Sequence, residues 1–123
     1  MLHDIGDVRL STQAKEQLIR LKRVTGIKNW NVLCRWALCT SLADSSPPLI
    51  RSVVTDSNVE MSWRTFTGAD ETVYLSLQEE RAHREPLYDG SIATLLSAHL
   101  HRGVGMLAGD SGGSLEAFAT RTV

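Results

Sequence analysis

The sequence predicts a mainly α fold with minor β, and three observations carry that expectation. Apolar residues recur at helical spacing in residues 12–25, 30–43 and 92–100. Strict alternation of apolar and polar residues is confined to two short runs, 5–10 and 59–65. Gly26, the Ser45-Ser46-Pro47-Pro48 run and Pro86 punctuate the chain between the periodic segments.

In chain order, Ile5-Gly6-Asp7-Val8-Arg9-Leu10 reads as one strand. Ser11 or Thr12 then caps a helix, because a hydroxyl there accepts a bond from an otherwise orphan N–H. Ala14, Leu18 and Leu21 form its apolar stripe. Gly26 ends it, since glycine tolerates the left-handed conformation. Asn29 is placed to cap a second helix reaching Ala43. That helix is apolar nearly all round, with Asn31 and Arg35 as one narrow polar stripe, so it needs cover on every side. In so short a chain, part of the cover is expected from another copy of the protein. Residues 50–54 read as extended. Val59, Met61 and Trp63 alternate with Glu60, Ser62 and Arg64, which predicts a strand over 59–65. Residues 70–84 fit a helix through Val73 and Leu77, or a strand through Val73, Leu75 and Leu77. A cap at Asp70, Glu71 in the first turn and the long charged run favour the helix. A last helix starts at Asp89 or Ser91 and buries Ile92, Leu95, Leu96, His99 and Leu100.

The 123 residues correspond to one domain with room for a modest core. It divides into an N-terminal unit (1–44), a helical extension (45–109) and a flexible tail (110–123). No signal peptide or membrane span is expected, which assigns the chain to the cytoplasm. Cys34 and Cys39 lie five apart on one helix, turned about 140° from each other, and read as buried apolar thiols rather than a disulfide.

The net charge is -1, but it is spread unevenly. Residues 1–40 carry seven basic and three acidic side chains, a net of +4, whereas residues 41–123 carry six and eleven, a net of -5. Every lysine lies at or before Lys28. The asymmetry points to an anionic partner for the N-terminal third, against the plainer alternative of a solvated helix face. Lys15, Lys22, Arg23 and Lys28, together with Arg20, are the candidate binding residues for that partner, expected to meet phosphates if it is a nucleic acid.

Other motifs are weaker than they look. Gly109-Asp110-Ser111-Gly112-Gly113 matches the surroundings of a trypsin-like nucleophile, but the chain is too short for that two-barrel scaffold. His99 and His101 would project about 200° apart on a helix and could not share a metal ion. A core His99 and a surface His101 are expected instead, with Arg102 free to touch a phosphate. Gly103, Gly105 and Gly109 miss the phosphate-loop spacing and suit close helix packing or fraying. Trp30 and Trp36 are expected to pack in the core rather than stack on bases. No catalytic residue, cofactor or metal is expected.

Val8-Arg9-Leu10-Ser11, followed by Leu18, Leu21, Gly26, Asn29 and the 33–42 helix, resembles a ribbon-helix-helix unit. In such units the strands of two chains pair, and a lone strand with open edges would enforce dimerisation. The N-terminus of the second helix, near Lys28, Asn29 and Trp30, could present N–H groups to a phosphate.

Over nearly its whole length the chain resembles the DndE family, small proteins of the bacterial DNA phosphorothioation (sulfur modification) system. The resemblance rests on Val8-Arg9-Leu10-Ser11, Arg35-Trp36-Ala37-Leu38, Trp63-Arg64-Thr65-Phe66-Thr67-Gly68 and His99-Leu100-His101-Arg102-Gly103, in that order. It implies a DNA-binding accessory factor without a catalytic motif. It also implies a homo-oligomer, with a tetramer favoured, a preference for nicked double-stranded DNA, and partners among the other phosphorothioation proteins. A ribbon-helix-helix repressor, in which Arg9 reads guanine, is the runner-up, and an adaptor for an acidic protein is a third reading.

Overall fold

Val8 and Met61 are apolar residues flanked by polar ones, and each must bury one side only. The computed structural model, which describes residues 6–48, 55–84 and 92–110, meets both needs at once. Strand β1 (Asp7–Arg9) pairs antiparallel with β2 (Glu60–Ser62), setting Val8 opposite Met61 on the interior side. The ribbon expected between two chains is therefore formed within one. Strand β2 gives β1 a partner within the chain, so the pairing of β1 does not require a second copy.

Helix α1 (Thr12–Thr25) begins and ends where the caps predict. Ser11 is extended and its Oγ accepts a hydrogen bond from Ala14 N at 3.1 Å, while Gly26 takes φ 76° and returns its N–H to Lys22 O. Asp56 adds a second cap from a distant loop, accepting from Thr12 N at 3.1 Å and Thr12 Oγ1 at 2.8 Å. Those bonds hold its carboxyl below the usual range. Ala14, Leu18 and Leu21 are buried as expected.

Helix α2 (Trp30–Ala43) is the centre of the molecule. Helix α5 (Ile92–Asp110) packs chiefly against it and next against α1. Gly103 allows the closest approach: a Cβ there would lie 1.7 Å from Ala37 O. Leu33, Cys34, Ala37 and Leu38 are buried by this chain's own helices, so most of the cover expected from a second copy is intrachain. Cys34 is buried and its thiol is pushed up to about 12 by burial. Cys39, expected to be buried, is exposed.

The strand over 59–65 is shorter than its alternation suggested. Ser62 caps a helix, its Oγ accepting from Thr65 N at 3.1 Å, so α3 (Trp63–Thr67) starts within the expected strand. Trp63 and Phe66 stack on its buried side with ring centres 5.6 Å apart. A single 3-10 turn, Gly68–Asp70, leads into α4 (Glu71–Arg84), which confirms a helix there and excludes the strand. Its inward face is mixed: Tyr74 and Leu75 pack against the core and Gln78 and Arg81 are buried, whereas Val73 and Leu77 are exposed.

The burial of Arg81 answers a backbone need. The last carbonyls of α2 have no intrahelical partner. Arg81 donates to Leu42 O at 2.8 Å, Asp44 O at 2.6 Å and Ser46 O at 3.0 Å. Arg102, expected to be free for phosphate, donates to Ser41 O, Ser41 Oγ and Ser46 O at 2.8–2.9 Å. Two cations thus close the negative end of α2. His99 is buried as expected. His101, expected at the surface, is partly buried and accepts from Ser11 N at 3.1 Å, which ties α5 to the start of α1.

The Ile5 start of the first strand, the extended 50–54 run, the Pro86 stop, the Asp89 or Ser91 helix start and the tail with Ser111 lie outside the described residues. Among the described residues, no helix is long and apolar enough to cross a membrane.

A lysine-lined groove as the candidate nucleic-acid interface

The sharp turn at Gly26 brings the last turn of α1 beside the first turn of α2. The β1–β2 pairing brings residues 58–61 to the same place. Between them lies a groove of about 650 Å³, lined by Lys15, Lys22 and Lys28, by Asn29, Trp30 and Asn31 at the start of α2, and by Asn58, Glu60 and Thr65 opposite. Three of the five expected basic residues therefore converge.

Each wall is held by specific bonds. Leu10 N donates to Val59 O at 3.2 Å and Ser57 Oγ to Leu10 O at 2.7 Å, which pins the 57–59 segment against the start of α1. Asn58 is thereby placed to accept from Lys15 Nζ at 2.5 Å. Lys22 Nζ sits 4.1 Å from the centre of the Trp30 ring, a cation–π contact across the α1–α2 turn. Asn31 Nδ2 donates to Thr65 O at 3.3 Å and joins α2 to α3.

Asn29 has the extended backbone of a cap, but its side chain makes no capping hydrogen bond. The first intrahelical bond is Leu33 N to Asn29 O, so the N–H groups preceding Leu33 lack intrahelical partners. No acidic residue occupies the first turn of α2. The groove therefore combines the positive end of a helix with three lysines, a combination that attracts anions. Glu60 is the opposing charge, and Arg9 engages it at 2.8 Å. Arg9 first, and then Asp7, hold the Glu60 carboxyl below its usual range, while the Asp7 carboxyl is raised by its hydrogen bond to Glu60.

The remaining two candidates lie elsewhere. Arg20 Nη2 donates to Ala108 O at 2.9 Å and anchors the end of α5. Arg23 is exposed and does not line the groove. Arg9, on which a base-reading repressor would depend, is occupied by Glu60. Asn58, Glu60 and Thr65 were not foreseen as site residues, because they reach the groove only through strand pairing. The alternation around Met61 was the available signal.

This geometry defines a small helical protein with a basic groove at a helix N-terminus. The family described as DNA sulphur modification protein DndE matches residues 7–113. The chain belongs to the DndE family. Its fold is similar to the crystal structure of DndE from Escherichia coli B7A involved in DNA phosphorothioation modification. That match has a TM-score of 0.66 and 21% identity over 83% of this chain and 96% of the other. It is similar as well to a double glycine-to-lysine mutant of DndE involved in DNA phosphorothioation, with a TM-score of 0.63 and 19% identity over 83% and 95% of the two chains. No curated protein matches it.

Proposed function

We propose that this protein is a non-catalytic DNA-binding accessory factor of DNA phosphorothioation, holding duplex DNA by its phosphates and preferring duplex that carries a nick. The convergence of Lys15, Lys22 and Lys28 on the open N-terminus of α2 carries the reading. Phosphate contacts position a duplex without reading its sequence, which suits a factor that acts beside sulfur-handling partners. Arg23 extends the basic surface beyond the groove, and Arg20 contributes charge while anchored to Ala108.

The protein works in the cytoplasm as a homo-oligomer, a tetramer being favoured, with other phosphorothioation proteins as partners. The exposed pair Val73 and Leu77, one turn apart on α4, supports association between copies. Repetition of the groove on each subunit would present several phosphate sites to one duplex. A nick makes a hinge, and a rigid multi-subunit surface bends it at lower deformation cost than intact duplex.

Binding of intact, nicked and single-stranded DNA of one sequence tests this directly. The nicked duplex is expected to bind most tightly. Equal affinity for nicked and intact duplex would contradict the hinge account, and no binding to any of the three would contradict the function. Sedimentation of the free protein as a 13.6 kDa species would contradict the oligomer.

A further inference from the structure

A lysine ammonium on a four-carbon stem is mobile, and fixing it on a ligand costs side-chain entropy. Two of the three groove lysines are already fixed: Lys15 by Asn58, and Lys22 by the face of Trp30. Trp30 was expected to be a core residue. It does pack against the core, but it is only half-buried and also lines the groove. It is the first residue of α2, so a cation held on its ring stands at the end of the helix where anions are attracted. Lys22 lies in the last turn of α1, and the left-handed Gly26 lets it reach across.

We propose that Trp30 is a positioning residue for DNA binding: its indole holds the Lys22 ammonium at the mouth of the groove, ready for a backbone phosphate. The inference rests on the DNA-binding reading above. The ring attracts the cation through its quadrupole and takes at most the N–H that faces it, so the outward donors of the ammonium stay available for a phosphate. Asn58 holds Lys15 differently, by taking one of its three donors. Arrival of a phosphate leaves Lys22 near the ring and exchanges water for phosphate oxygens around it.

A double-mutant cycle on a short nicked duplex tests the proposal. Trp30→Leu is expected to weaken binding about two- to five-fold in the otherwise unchanged protein. In a Lys22→Met background the same substitution should have no further effect, because the ammonium it would misplace is gone. Trp30→Phe, which keeps an aromatic face, should recover part of the loss. A merely structural Trp30 would instead cost the same in both backgrounds, and that additivity would overturn the proposal. The unsubstituted protein supplies a second measurement should Trp30→Leu fail to fold. The Lys22 ε-methylene protons should be displaced upfield by the indole ring current and should shift again when the duplex is added. Protons at ordinary positions would overturn the pairing. Failure of the unsubstituted protein to bind the duplex would overturn the DNA-binding reading and this inference together, whereas binding with an additive cycle overturns this inference alone.

Discussion

Gly103→Ala is expected to destabilise the fold by about 3 kcal/mol or more, with most of the loss at the α2–α5 interface. A Cβ at position 103 would stand 1.7 Å from Ala37 O, 2.4 Å from Ala37 C and 3.0 Å from Ala37 Cα. All three are main-chain atoms of a helix, so no side chain can swing aside. The helices would have to separate by about 1.5 Å to restore ordinary contact. Leu100, Val104 and Leu107 are fully buried on the same helix, and separation would cost each of them close packing. The gain of about 1 kcal/mol in helix propensity from glycine to alanine offsets only part of this. Gly105→Ala is the control, since nothing lies within 4 Å of a Cβ there. It should be neutral or mildly stabilising. Urea denaturation of the two variants checks both expectations, and equal midpoints would contradict the packing account.

The second large effect is a loss of stability in mild acid, centred on His99. His99 is fully buried, and its Nδ1 lies 2.8 Å from Ser41 Oγ. Arg102 Nε donates to the same oxygen at 2.8 Å. Burial first, and then the nearby Arg81 and Arg102 cations, push His99 down to about 4. In the unfolded chain it titrates near the ordinary 6.5. Between these values the unfolded chain binds a proton that the folded one refuses. Stability is therefore complete above about pH 6.5 and falls as pH drops toward 4, at up to about 1.4 kcal/mol per unit. His101 is lowered by burial as well and adds to the same window. Asp44 and Asp56 have carboxyls held below their ordinary value by bonds to Ser46 and Thr12, so their contributions are lost only at lower pH. His99→Gln should be less stable at neutral pH but visibly flatter between pH 6.5 and 4. A variant with an unchanged pH profile would contradict the assignment.

Much of the helical framework was legible because local chemistry set it. Ser11 and Gly26 delimit α1 through their own side chain and backbone freedom, and both ends fall where those residues predict. The pairing of Val8 with Met61 was not legible, since each alternating run is equally suited to a partner in another chain. The inward face of α4 was not legible for a related reason. Apolar spacing pointed to Val73 and Leu77, whereas the orphan carbonyls at the end of α2 draw Arg81 inward. Arg102 left the expected phosphate set by the same route, and no local pattern announces a carbonyl that lies 56 or 61 residues away. Of the site, the charge asymmetry located Lys15, Lys22 and Lys28. The opposite wall, with Asn58 and Glu60, depends on tertiary pairing and was invisible.

If the lysines of the groove hold DNA phosphates, removing them must change both the affinity for duplex and its response to salt. The most direct measurement is the salt dependence of duplex binding by the Lys15→Glu/Lys22→Glu protein, after its fold has been verified by circular dichroism. Each neutralised phosphate contributes about -0.9 to the slope of log affinity against log salt. Loss of two contacts should flatten the slope by about two and weaken binding by roughly a hundredfold or more at low salt, on every sequence alike. A folded double variant with unchanged affinity and unchanged slope would contradict the assignment of the groove.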